Sequence, residues 1–191
     1  MRYSDTHKEE TRKKVVRVAA KAVRAKGPDG VGVAEVMAEA GLTHGGFYAH
    51  FPNKEALVVA AIEEAFGQSA RRFARMLGGK SGAESLDAFV DAYVSPEHRA
   101  NPAGGCPIAA LASDLPRQAQ PVRQAYERGV RALIGRLEGW LPDDRRHLAP
   151  SLLAEMAGAV SLSRAISDET GAAQLLADAR ASLKTRMGIV Q

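Results

Sequence analysis

Residues 43–54 set out a hydroxyl, two imidazoles, two glycines, a phenol and an ammonium in one short stretch: Thr43, His44, Gly45, Gly46, Tyr48, His50 and Lys54. No pair among them has the order of a nucleophile and its base. What they offer is a set of donors for an anion. A threonine hydroxyl at a helix start, together with free backbone N–H groups, suits a phosphate oxygen, and Tyr48 carries its phenolic donor on a rigid ring. Lys54 puts a positive charge at a helix start, against its own helix dipole, and a nearby anion would resolve that conflict. His44 and His50 either reach the same anionic partner or are simply exposed polar residues. Gly45 and Gly46 each cost about 1 kcal/mol against alanine inside a helix. Their use is close approach of backbone to that partner or, for Gly46, packing on the preceding helix.

Charge points to the same kind of partner. Residues 1–54 hold ten Lys/Arg and six Asp/Glu, and residues 55–191 hold sixteen of each, so the whole formal excess of +4 is N-terminal. A basic segment on an otherwise neutral chain is the footprint of a polyanion, while any one lysine can equally be a solvated helix face. Lys13 and Lys14, with Lys8 and Arg12, are the upstream cations available to phosphates.

Helical spacing supplies the scaffold. Val15, Val18, Ala19, Ala22 and Val23 recur at helical intervals over residues 5–26, with Lys13, Lys14, Arg17, Lys21 and Arg24 on other faces, and Gly27-Pro28-Asp29-Gly30 ends the run. A short helix over 33–40 turns Val36 and Met37 inward and closes at Gly41; Thr43 then caps a second, reaching about His50. Phe51-Pro52-Asn53 breaks it, and Asn53 caps a long helix from Lys54. Phe47 and Phe51 read as core, with Val15, Val18, Ala22, Val36, Met37, Leu42 and Leu57. Past Gly78-Gly79-Lys80-Ser81-Gly82 the pattern gives helices over 83–95, 105–115, 119–140, 144–167 and 172–187, with breakers at Pro96, Asn101-Pro102, Pro116, Pro121, Pro142 and Gly171. There is no period-2 strand pattern. The predicted fold is all-α, a small unit over 1–54 followed by a larger body over 55–191.

Two short helices crossed by a tight glycine turn present the second to the major groove. Around them the sequence resembles the TetR family, whose N-terminal region combines an Ala-Gly turn, a hydroxyl cap, a glycine-containing recognition helix and Tyr-x-x-Phe-x-x-Lys-Glu-x-Leu. Here these are Ala40-Gly41, Thr43, Gly45 and Tyr48-Ala49-His50-Phe51-Pro52-Asn53-Lys54-Glu55-Ala56-Leu57, and the likeness is dense over 12–66. The chain departs from the pattern at Gly32, Ala34, Gly46 and Ala49, where capping or polar residues are frequent. Fewer side chains are then left for direct readout, and weight shifts to the basic first helix or to DNA shape. The resemblance implies a three-helix DNA-binding domain over 1–54 and a ligand-binding and dimerisation domain over 55–191. It implies a homodimer that represses transcription at a palindromic double-stranded operator and is released by an inducer of unknown identity.

The body has no motif of its own. Leu148, Leu152, Leu153, Met156, Val160 and Leu162, interleaved with Ala154, Ala157, Gly158, Ala159 and Ala165, and then Leu175, Leu176, Ala179 and Leu183, suit a four-helix dimer interface or an internal core. Cys106 precedes a proline at the first position of a helix, where a thiol can lose its proton early and sense oxidants or electrophiles. The other reading is a small buried apolar residue. Phe66, Phe89, Tyr93 and Tyr126, with Phe73 and Trp140, are candidate lining for an inducer cavity, or plain core. An enzyme is not indicated, because there is no triad order, metal-ligand cluster or cofactor motif, and Gly78-Gly79-Lys80-Ser81 lacks the rest of a phosphate loop. A non-specific architectural DNA binder is the nearer rival, and the neutral body argues against it. Met1 is followed by polar and charged residues and not by a signal peptide, and no apolar run approaches the roughly 20 residues of a membrane span. A cytoplasmic protein without cofactor or membrane partner is expected.

Overall fold

Alanine-rich amphipathic segments separated by glycine and proline leave the backbone only helices to form. The computed structural model describes residues 2–189 and shows, among them, nine α-helices, three short 3-10 helices and no strand. Met1, where the signal-peptide expectation begins, lies outside the described residues.

Helix α1 (Arg2–Lys26) buries Val15, Val16, Ala19, Ala20 and Val23. It stops where Gly27 takes a left-handed φ of 73°, a conformation costly for any residue with a Cβ. Helix α2 (Val33–Glu39) buries Val36 and Met37. The second helix of the pair, His44–Ala49, is 3-10 and not α; six residues that include two adjacent glycines gain too little from an α-helix to hold one. Helix α3 (Lys54–Leu77) begins as expected, with the Asn53 side-chain oxygen accepting from the Ala56 N–H at 2.8 Å, and ends at Gly78 with φ 54°.

The rest comprises α4 (Gly82–Tyr93), α5 (Pro96–Ala100), α6 (Pro107–Leu111), a 3-10 turn Leu115–Arg117, α7 (Gln120–Trp140), a 3-10 helix Asp143–Leu148, α8 (Ala149–Ala165) and α9 (Glu169–Met187). The helix expected over 105–115 is thus split, since Pro107 fixes its start and Pro116 stops its continuation. Pro96, expected only as a breaker, opens α5, because Ser95 caps it by accepting from the His98 N–H at 3.1 Å.

Two hydrophobic clusters share α3. Its first half, with Leu57, Val58, Ala61 and Ile62, packs with α1, α2 and the 3-10 helix, and also with Leu111, Leu115, Val122 and Ala125 of the body. Its second half, with Phe73 and Leu77, packs with α4, α7, α8 and α9. Residue 54 therefore marks where α3 starts and not a gap in packing. The irregular stretch 98–112 leaves carbonyls outside long helices, and arginines satisfy them: Arg164 donates to the carbonyls of His98 (2.8 Å) and Ala109 (3.1 Å). Among the described residues no helix is long and apolar enough to cross a membrane.

Candidate functional site

Thr43 precedes the 3-10 helix with extended backbone (φ −78°, ψ 149°), is exposed, and makes no side-chain capping bond, so its hydroxyl is not engaged in holding the helix. His44 and Gly45 are also exposed, and a Cβ on Gly45 would meet nothing within 4 Å. A Cβ on Gly46 would touch Met37 and Thr43 at ordinary van der Waals distances, so packing on α2 does not require glycine there. Tyr48 is 71% exposed, held edge-on to Phe47 with centroids 5.2 Å apart. Beneath it Phe47 and Phe51 are buried and stacked at 5.7 Å, as the sequence reading expected. The Tyr48 ring is thus held toward solvent on a buried aromatic base.

The cations frame this segment. Arg12 lies over the Phe51 ring at 4.9 Å, and Lys13 is held by Glu9 at 2.6 Å one turn back. Lys14 reaches alongside Gly41 at the α2 turn. Lys54 is exposed and donates to the Asp29 carbonyl at 3.0 Å, so the conflict with its helix dipole is eased by backbone in the free protein. His50 closes the segment with a buried Nδ1 that has no partner; burial, then the charges of Lys8 and Arg12, hold its pKa below the ordinary value.

Behind the N-terminal helices, Phe66, Phe73 and Phe89 line a cavity of about 220 Å³ between α3, α4 and α7, together with Cys106 and Arg136. Of the aromatics proposed for such a cavity, Phe66, Phe73 and Phe89 are there, and Trp140 packs on Phe89 without lining it. Tyr126 lines a separate groove of about 910 Å³ against α8, and Tyr93 lines neither. Tyr93 stands behind, stacked on Phe73 at 6.0 Å, its buried hydroxyl close to the Cys106 thiol but not aligned for a full hydrogen bond.

The Cys106 thiol is a correction to the expectation of easy deprotonation. It is 1% exposed, and burial pushes its pKa up, outweighing the hydrogen bonds that lower it. The helix it precedes has only five residues and a correspondingly small dipole. Labelling of the native protein by a bulky thiol reagent at pH 7 should run at least about tenfold slower than labelling in urea; equal rates would mean the thiol is open.

Two buried polar residues escaped the sequence reading. His98 is fully buried, its Nδ1 2.6 Å from the Tyr93 carbonyl and its Nε2 2.9 Å from the Cys106 N–H. A carbonyl only accepts, so Nδ1 carries the proton and Nε2 accepts. The imidazole is neutral, and burial takes its pKa down to about 4. Arg24, assigned by spacing to an outward face, is 4% exposed and donates to Ala103 O (2.5 Å), Ala65 O (3.2 Å) and Gln68 Oε1 (2.8 Å). Burial lowers its pKa to about 10, which still leaves it charged at neutral pH. Arg72 donates to Gly104 O at 3.2 Å. The loop 101–106 is thus pinned from α1, α3 and α5, and its last residue walls the cavity. The only sequence sign was Ser95-Pro96-Glu97, a helix start that places His98 on a short helix; nothing local marks Arg24.

A helix pair that presents an exposed, glycine-rich second helix on a basic first helix, carried by a cavity-bearing helical body, defines a helix-turn-helix transcriptional regulator. The family described as "Bacterial regulatory proteins, tetR family" matches residues 15–61, and "Tetracyclin repressor-like, C-terminal domain" matches 82–179. This chain belongs to the TetR family. A helix-turn-helix-type transcriptional regulator of Mycobacterium tuberculosis is 29% identical over 175 residues, spanning 83% of this chain and 87% of that protein. Among solved structures, a TetR regulator from Chloroflexus aurantiacus superposes with TM-score 0.72 at 26% identity, covering 96% of both chains. The reduced form of Escherichia coli NemR superposes with TM-score 0.75 at 22% identity, covering 92% of this chain and 96% of that one, and supports the fold.

Proposed function

We propose that this protein is a ligand-responsive repressor: a cytoplasmic homodimer that grips a palindromic operator through the region around Thr43, Tyr48 and Lys54 and lets go when a small molecule enters the body. The loop 101–106 carries this reading, because one end walls the cavity while its middle is hydrogen-bonded by Arg24 of the DNA-binding unit's first helix. Movement of the cavity wall is thereby felt at α1. Thr43, Lys13, Lys14, Lys54 and Tyr48 take phosphates; His44, His50 and the open backbone at Gly45 and Gly46 lie where the groove would come. The outer face of α8 supports dimerisation: Leu162 is 61% exposed, Ala154 and Ala165 are exposed beside it, and Gly158 has open space over it. Burial of Cys106 favours a non-covalent inducer over a thiol-reactive one.

Selection of bound sequences from random DNA tests the reading. A two-fold repeat with half-sites about one helical turn apart is expected, whereas no sequence preference would make the protein an architectural binder. Lys54→Ala should weaken binding to all sequences alike and reduce the salt-dependence slope by about 0.9 per protomer; an effect confined to one base position would contradict its phosphate role.

A further inference from the structure

We infer that the phenylalanine-lined cavity takes a single-ring aromatic carboxylate, which rests on the reading above and names the inducer's chemical class. The walls ask for a ring. Phe73 and Phe89 lie with centroids 4.6 Å apart at a tilt of 57°, Phe66 lines the same slot two turns before Phe73 on α3, and the small residues Gly67, Ala70 and Ala132 leave room in it. Gly129 on α7 is required here, because a side chain at that position would run into the Phe66 ring. Flat aromatic walls favour offset or edge-on contact with another ring.

Size sets the scale of what lies inside. An apolar cavity of about 150 Å³ accommodates benzene, so one of about 220 Å³ holds one ring with a short substituent.

Charge decides what the substituent is. Among the residues lining the cavity Arg136 alone carries a formal charge, and there is no acidic group to repel an anion. Arg136 is exposed at the mouth and has no ion pair among the described residues, unlike Arg128 and Arg131 on the same helix, which bind Glu63 and Glu127 at 2.6 Å each. The inner wall is different: Ser69 and Cys106 are both buried there and neither is charged. A ligand with its ring inward and a carboxylate at the mouth meets every one of these features, and the planar guanidinium fork matches a carboxylate's two oxygens. A cationic ligand would be repelled, and a polyphosphate would find one cation only.

Trp140, the chain's single tryptophan, lies 5.4 Å from the Phe89 ring and reports on the slot. The full-length protein is titrated with benzoate, with its neutral isostere benzamide, and with cyclohexanecarboxylate, by tryptophan fluorescence and by calorimetry. Benzoate should bind about tenfold tighter than benzamide, the share of one charge-assisted pair at a partly open site, and tighter than cyclohexanecarboxylate. Arg136→Gln should erase the preference over benzamide while leaving benzamide affinity unchanged, and Ala132→Phe should block all three. Equal affinity of benzoate and benzamide, an unchanged preference in Arg136→Gln, or no binding of any probe at millimolar concentration overturns the assignment. Release from palindromic DNA is measured separately. Arg136-dependent benzoate binding without DNA release upholds the ligand class and strikes the regulatory reading; release by benzamide and benzoate alike does the reverse.

Discussion

Arg24→Met should lower the unfolding free energy by about 2–4 kcal/mol, although the position lies on a surface-rich helix and contacts no ligand. Two effects compete. Removing a buried charge relieves its desolvation, which alone would favour methionine. The partners stay behind, however: the Ala103 carbonyl and the Gln68 amide oxygen lose a charged donor at 2.5 and 2.8 Å, in a region where water replaces it poorly. Leaving acceptors unmade costs more than the relief gains, since hydrogen bonds to a charged group contribute about 1.5–3 kcal/mol each. Arg24→Lys should recover little, because an ammonium on a thinner stem cannot span acceptors on α3 and on the loop at once. The measurements are the urea midpoint and amide exchange at Gly105 and Cys106, which should speed up in both variants. A methionine variant with the wild-type midpoint and unchanged exchange would show that the guanidinium is not what holds the loop.

On the proposed reading, that loop is the link through which the cavity and the DNA-binding segment would share one energy. Its Ala103 carbonyl faces α1 and its Cys106 faces the Phe slot. A loosened loop can no longer report one site to the other, so the Arg24 variants should keep DNA affinity better than they keep any inducer response.

The DNA-facing unit was legible because each of its signals is local. Gly27, Asn53 and Gly78 act on backbone within a few residues of themselves, and Phe47 and Phe51 have a register that only a short helix explains. The 3-10 form of His44–Ala49 was not legible, since spacing over six residues fits either helix. Arg24 and His98 were hidden for a different reason. Arg24 meets Ala103 across 79 residues of sequence, and its neighbours in the chain are those of an ordinary solvated cation. A spacing argument assigns every arginine in an amphipathic helix to the outside, which fails wherever an irregular segment packs close and its carbonyls need donors. The long helices at 105–115 and 144–167 were overdrawn for another cause: Pro107 and Pro150 sit in the first turn of a new helix, so each starts a helix later than the apolar pattern does.

Stability should fall as pH drops from about 6.5 toward 4, with His98 responsible for about 3 kcal/mol of the loss. In the folded protein its pKa is about 4; in the unfolded chain it returns to 6.5. Between these values the unfolded state binds a proton that the native state refuses, so stability rises with pH across the window and is at its full value above 6.5. By pH 5.5 the loss is about 1 kcal/mol. Below 4 the ring must charge, and Nε2 can no longer accept from the Cys106 N–H. Arg164 and Arg72, which face the imidazole, oppose that charge further. His98→Gln removes the titration: the variant should start less stable at pH 7.5, having lost two buried hydrogen bonds, yet show a flatter profile down to pH 5. Urea unfolding of both proteins at half-unit intervals from pH 7.5 to 5 makes the comparison above the range where most carboxylates titrate. Parallel profiles would place the pH sensitivity elsewhere and would return His98 to the role of a space-filling ring.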